Sequence, residues 1–160
     1  MALDPTARRA NIKDSVKKFC VDNFETIEGL TISFDTSMRT PILRGQPIEV
    51  TKWVGIDIGG ISPLDWTSFF IDFYCCTRKD SEGFQLAQLR DKVLGYLMDS
   101  KREYPDGMAR ITFYRSFENQ TWTKLGAMMI GRITESDELK APDETKYIIL
   151  SAKIMFASKL

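Results

Sequence analysis

Residues 66–76 read WTSFFIDFYCC and are the most apolar stretch of the chain. The stretch is rich in aromatic side chains, which favour β-strands because they pack well on a pleated, half-buried surface. We therefore interpret it as a central strand. The elements on either side of it decide what kind of sheet it belongs to.

Downstream of this strand, residues 77–83 (TRKDSEG) turn the chain, and residues 84–104 show helical spacing. The apolar stripe of that helix consists of Leu86, Leu89, Val93, Tyr96 and Leu97. Asp80 or Ser81 is placed to cap its start, and TyrProAspGly at 104–107 ends it. Strand-like segments follow at 109–117, 121–134 and 146–156, and three consecutive antiparallel strands explain them most simply.

Upstream, residues 48–58 alternate between apolar and polar side chains, which predicts a long strand with Trp53 on the polar side. Residues 30–35 alternate in the same way. The apolar spacing before them predicts a first helix over about residues 5–25. Gly29 is expected to stop that helix.

The order of elements is therefore α, β, β, β, α, β, β, β. This order predicts an α+β fold, with one mostly antiparallel or mixed sheet and two main helices packed on it. A chain of 160 residues with 43% hydrophobic side chains leaves room for one core, so we expect a single domain over residues 1–160.

The net charge and the histidine and cysteine contents exclude several classes of function. Twenty-two basic side chains balance twenty-two acidic ones, so no global field attracts nucleic acid or an anionic membrane. There is no histidine, which excludes His-containing catalytic triads and His-bearing zinc sites. The cysteines are odd in number and two are adjacent (Cys20, Cys75 and Cys76), which makes a disulfide framework a poor explanation. We therefore expect reduced thiols in a cytosol. We expect neither a signal peptide nor a membrane helix, and no cofactor or metal.

Two motifs invite a catalytic interpretation. GlyIleAspIleGlyGly at 55–60 resembles a phosphate loop, but its glycines lack the required spacing, so a turn with close backbone approach is expected. Asp57 and Asp72 lie on adjacent predicted strands and could face one another as an acid/base pair. Solvated or cross-strand-paired carboxylates are the simpler explanation, and we predict that the protein is not an enzyme.

Two further hypotheses concern ligands. Arg8, Arg9, Lys13, Lys17 and Lys18 crowd the first helix, which is typical of a solvated face and less often of a phosphate-binding one. A pocket between the sheet and the second helix, lined by Phe70, Tyr74 and Tyr96, would suit an enzyme or a small-molecule-binding domain.

The predicted loops carry unusual apolar content. A hairpin arm over about residues 36–66 would present apolar side chains to a partner, with Trp53 on its stem and arginines at its rim. The candidate subunit interface consists of Met38, Arg39, Ile42, Leu43, Arg44, Trp53, Ile61, Leu64 and Trp66. The alternative is that these loops fold back over the sheet of their own domain, and the sequence leaves both possibilities open.

A resemblance adds to this interpretation. The first helix beginning near Arg8–Arg9, the strand WVGIDIG at 53–59 and the block WTSFFIDFYCCTRKDSEGFQLAQLRDKVLGYL at 66–97 resemble the tail terminator proteins of long-tailed bacteriophages, the minor tail protein U group. The resemblance covers roughly residues 8–156 as an order of elements rather than as a signature motif.

The resemblance implies a structural subunit of the virion, assembled in the host cytoplasm. Such subunits form a homo-hexameric ring at the end of the tail tube, stop its polymerisation and provide the surface that joins the head. The implied partners are further copies of the chain, the tail tube protein and a head-completion or neck protein, while DNA passes through the lumen without sequence-specific binding. A different neck or tail component, such as a head-completion or tube subunit, is the alternative within this class.

Overall fold

The computed structural model describes residues 9–34, 42–43, 46–47, 51–61, 66–98, 109–118, 121–142 and 144–157. It confirms the α+β class: two helices pack on a mixed sheet. The helical elements are α1 (Arg9–Cys20), a π-helical segment (Val21–Ile27) and α2 (Phe84–Leu97). The strands are β1 (Ile32–Phe34), β2 (Ile42–Leu43), β3 (Gln46–Pro47), β4 (Lys52–Ile58), β5 (Trp66–Thr77), β6 (Arg110–Glu118), β7 (Thr121–Glu135), β8 (Leu139–Lys140) and β9 (Lys146–Ala157).

The main sheet has the strand order β1-β4-β5-β9-β7-β6, and β8 adds to β9. β1 runs parallel to β4, whereas every other pairing in this sheet is antiparallel. The prediction that β5 is central is confirmed, because β4 and β9 pair with its two edges. β2 and β3 pair with one another as a separate two-stranded hairpin.

One side of the sheet, the helix side, holds the core. Buried apolar residues of β4, β5, β7 and β9 alternate along each strand and meet the buried stripes of α1 and α2. The predicted stripe of α2 is confirmed, with Leu86, Leu89, Val93 and Leu97 buried and Tyr96 partly buried. α2 ends at Leu97, earlier than predicted, because Met98 takes an extended conformation. Residues 99–108, which include the predicted TyrProAspGly stop, lie outside the described part.

The first helix ends in a widened turn. The side-chain amide of Asn23 donates a hydrogen bond of 2.9 Å to the carbonyl oxygen of Phe19, the acceptor that an α-helical N–H of Asn23 would use. Gly29 then takes the left-handed conformation, and its N–H bonds the carbonyl oxygen of Glu25. The predicted stop at Gly29 is confirmed, since this backbone conformation suits glycine.

Asp80, one of the two predicted caps, holds the start of α2 from outside the N-cap position, which Gly83 occupies. Its carboxylate accepts hydrogen bonds from the backbone N–H of Leu86 at 2.9 Å and from the hydroxyl of Thr77 at 3.3 Å. Partial desolvation acts to raise the pKa of Asp80, but the hydrogen bonds from Leu86, Gln85 and Thr77 lower it overall from its ordinary value of 3.8. The anchored carboxylate therefore stabilises the folded state only while it is ionised.

We expect Asp80→Ala to lower the free energy of unfolding by about 1–2 kcal/mol, the usual effect of losing a helix cap. Asp80→Asn keeps an acceptor and should retain most of that stability. Because the folded pKa lies below the unfolded one, the carboxylate's contribution is complete above about pH 4 and is lost as the pH falls through the folded value. Urea unfolding of the three proteins between pH 2 and 7 checks this. An Asn variant with the same acid profile as the parent would contradict it.

Candidate functional site: the open face of the sheet

The sheet has a second side that α1 and α2 do not cover. Val54 and Cys75 are opposite one another and belong to the core on the helix side. Their neighbours Trp53 and Cys76 are also opposite one another, and strand alternation directs them to the other side. The same alternation assigns every second residue of β5 and β9 to that side.

We call this second side the open face. Its side chains come from β4, β5, β9 and β7 and include both apolar and charged residues. By register they are Asp57, Phe70, Asp72, Tyr74, Tyr147, Ile149, Ser151, Lys153, Met155 and Met129.

Apolar side chains lie partly exposed on the open face. Phe70 is 52% exposed in the middle of β5. Tyr74, Tyr147, Ile149 and Met155 are half-buried on the two innermost strands. The rings of Tyr74 and Tyr147 lie 6.4 Å apart, centroid to centroid. Contiguous apolar side chains of this kind on a solvent-facing sheet are typical of a surface that meets a partner.

A polar row crosses the same face. Asp57 and Asp72 are directly opposite on neighbouring strands, the cross-strand arrangement that the sequence left open. Ser151, the next residue in the row, donates a hydrogen bond of 2.5 Å to one carboxylate oxygen of Asp72. Burial raises the pKa of Tyr74, and the adjacent carboxylates of Asp72 and Asp57 raise it further. The centre of the open face thus carries two carboxylates, with Lys153 opposite Phe70 on the same face.

One end of the open face is closed by the chain itself. Trp53 is fully buried, and the guanidinium carbon of Arg78 lies 4.9 Å from its ring centroid. Arg78 also donates from Nε to the hydroxyl of the buried Thr145 at 3.1 Å. Trp53 is therefore not available to a partner on the stem of an arm in this structure, because its ring is fully buried with Arg78 over it.

The other residues of the predicted arm have separate outcomes. Ile61 is partly buried and packs against the core of its own domain. Ile42 and Leu43 form β2, and Trp66 begins β5, where the structure describes the backbone pairing alone. Met38, Arg39, Arg44 and Leu64 lie outside the described residues. The arm, apart from the buried Trp53, remains a prediction.

The predicted ligand pocket does not exist in the form expected. Phe70 and Tyr74 point to the open face. Tyr96 lies on the helix side, where its ring meets that of Phe24 edge to face with centroids 5.7 Å apart and its hydroxyl donates to Glu28 at 2.6 Å. The sheet separates the three side chains, so they cannot line one cavity.

Grooves exist elsewhere in the described residues. One of about 500 Å³ lies at the start of α2. Others, of about 370 and 180 Å³, lie beside the end of α1 and between β4 and α2. The first is lined by Arg78, Lys79, Asp80, Ser81, Lys140, Glu144 and Lys146. Asp80, one of its two acidic side chains, is committed to the start of α2, and Lys146 donates to the carbonyl oxygen of Ser81 at 2.9 Å.

The close backbone approach expected in residues 55–60 is confirmed at Gly59. The N–H of Gly59 donates to the carbonyl oxygen of Phe70 at 2.8 Å, and a Cβ there would lie 3.1 Å from that oxygen, so the glycine allows a close backbone approach. Cys20, Cys75 and Cys76 are buried thiols, and burial raises the pKa of Cys20 and Cys75.

On α1, Lys18 pairs with Asp22 at 2.8 Å and lies over the rings of Tyr114 and Trp122, at 5.5 and 5.4 Å from their centroids. These contacts hold Lys18 within its own domain. Its ammonium group is therefore already in contact with one carboxylate and two aromatic rings.

Among the described residues, no helix is long and apolar enough to span a bilayer. Nor do histidine, cysteine and acidic side chains in that part of the chain gather into a group that could hold a metal ion.

Comparison with known proteins establishes the fold alone. No family model and no curated protein matches the chain. Ten chains of known structure do match it. One of these, which carries no functional name, aligns over 93% of this chain and 95% of its own, with a TM-score of 0.60 and 8% identity. At that identity the likeness supports a shared architecture.

Proposed function

We propose that the protein is a structural subunit that assembles with copies of itself into a ring, and that it acts as a tail terminator of a long-tailed bacteriophage. In this role a hexameric ring caps the tail tube and stops its polymerisation. It contacts the tail tube protein on one side and a head-completion or neck protein on the other, and DNA passes through its lumen. The order of elements that carries the resemblance agrees with the strands and helices of the fold.

The open face is the observation that carries the assembly proposal. Aromatic and methionine side chains are enriched in protein interfaces, because they supply large contact areas that lose water on association. Phe70, Tyr74, Tyr147 and Met155 supply that chemistry on strands that pair on both edges. The face therefore has the composition of a contact surface on a rigid support.

The direct test is the mass of the purified protein by light scattering after size exclusion, at several concentrations and with or without tail tubes. We expect a closed hexamer, or a monomer that becomes a six-fold ring when tubes are added. Growth of tail tubes should stop at the length reached when the protein is added. A protein that stays monomeric at every concentration and does not bind tail tubes would contradict the proposal.

Phe70→Lys should abolish ring formation while leaving the subunit folded. The side chain is 52% exposed, so its loss affects the isolated fold little, and an ammonium group does not pack on an apolar partner surface. Phe84→Lys is a matched control, since Phe84 is 65% exposed at the start of α2. Light scattering should show rings for Phe84→Lys and none for Phe70→Lys. Rings from both variants would remove the open face from the interface.

A further inference from the structure

We infer that the open face is the receiving half of a head-to-tail contact, and that residues 36–47 of a neighbouring copy occupy it. The inference rests on the proposed ring. A ring requires two different surfaces on each subunit, because a contact of one patch with itself closes as a dimer. The open face is one surface, and residues 36–47 supply the other.

Charge is the first argument. Asp57 and Asp72 are directly opposite on antiparallel strands, an arrangement that is unfavourable for like charges. Ser151 donates a single hydrogen bond to Asp72, and Asp57 is exposed. Residues 36–47, TSMRTPILRGQP, contain two arginines and no acidic residue. Arg39 and Arg44 therefore complement the polar row, and guanidinium groups match carboxylates in geometry as well as in charge.

Shape and stability give the second argument. Within residues 36–47, β2 pairs with β3 as a hairpin separate from the main sheet. A two-stranded hairpin is marginally stable alone and needs a surface to pack on. The segment carries Met38, Ile42 and Leu43, and the open face offers Phe70 and the ring of Tyr74 beside the polar row. The segment and the open face thus both combine apolar with charged residues.

A mixing experiment tests the inference. Phe70→Lys disables the receiving face and keeps the segment, because it removes an apolar ring and repels Arg39 and Arg44. Ile42→Asp disables the segment and keeps the face. Alone, each variant should be a monomer at concentrations where the unchanged protein forms rings. An equimolar mixture should give particles with the mass of two chains and nothing larger, because only one of the two possible contacts is intact. Circular dichroism of each monomer verifies folding.

Three results would overturn the inference. If the unchanged protein forms rings but the mixture stays monomeric, the segment docks on its own subunit. If Ile42→Asp alone forms rings or dimers, the segment is not the occupant. If the unchanged protein never forms rings, the proposed function fails and the inference fails with it.

A charge exchange adds a second readout. Asp72→Arg alone should weaken ring formation at least tenfold, and adding Arg44→Glu or Arg39→Glu in the same chain should restore part of that loss, since attraction is re-established with the signs exchanged. Failure of both double variants to recover any association would exclude these arginines as the partners of the acidic row.

Discussion

Phe24→Ala is expected to lower the free energy of unfolding by about 3–5 kcal/mol, the range for removing a large buried aromatic side chain. Phe24 is fully buried in the π-helical segment, where it joins the end of α1 to the sheet and to α2. Its ring meets those of Phe19, Phe73 and Tyr96 edge to face, with centroids 6.1, 5.9 and 5.7 Å apart. Each of these geometries adds to the loss from burial alone.

Urea unfolding followed by circular dichroism measures this change. Ile27→Ala is the matched control, because Ile27 belongs to the same segment and is 66% exposed. Its expected effect is within about 0.5 kcal/mol. A loss below about 1 kcal/mol for Phe24→Ala would mean that the end of α1 contributes little to the core, since large core truncations cost more than that.

The order of elements could be predicted because each main element satisfies its own periodicity. Val54, Ile56 and Ile58 keep one parity along β4, and Leu86, Leu89 and Val93 keep helical spacing along α2. The π-helical segment was not predictable, since Cys20 and Phe24 keep the same spacing in an α-helix. The difference lies in a local hydrogen bond from the amide of Asn23, which no apolar pattern reports.

The open face was predictable only in part. Alternation places Asp57 opposite Asp72 once the two strands are taken as neighbours, and the register confirms it. Phe70 and Tyr74 were instead assigned to a pocket beside α2, because both parities of β5 are apolar and the sequence does not say which parity meets the helices. Which parity of β5 meets the helices depends on contacts between residues that are distant in the sequence. Apolar residues on both parities of a central strand are nonetheless a signal that both sides are to be covered.

Trp53→Ala is expected to lower the free energy of unfolding by about 3–5 kcal/mol, again because a large side chain leaves a closed site. The ring is fully buried opposite Cys76 and under Arg78. A contact on the stem of an arm would behave differently: the variant would keep the stability of the monomer and lose only association. A loss of monomer stability would indicate packing within the subunit, whereas a loss of association alone would indicate packing between subunits.

The comparison is made in the Phe70→Lys background, so that assembly does not add to the measured stability. Trp53→Phe serves as the control, because a phenyl ring keeps an aromatic face for Arg78 and should lose less than half of the stability that alanine loses. An unchanged urea midpoint for Trp53→Ala would contradict the packing of Trp53 within the subunit. The expected large shift instead means that Arg78 and Trp53 close one end of the open face, which leaves the acidic row and Phe70 as the surface available to a partner.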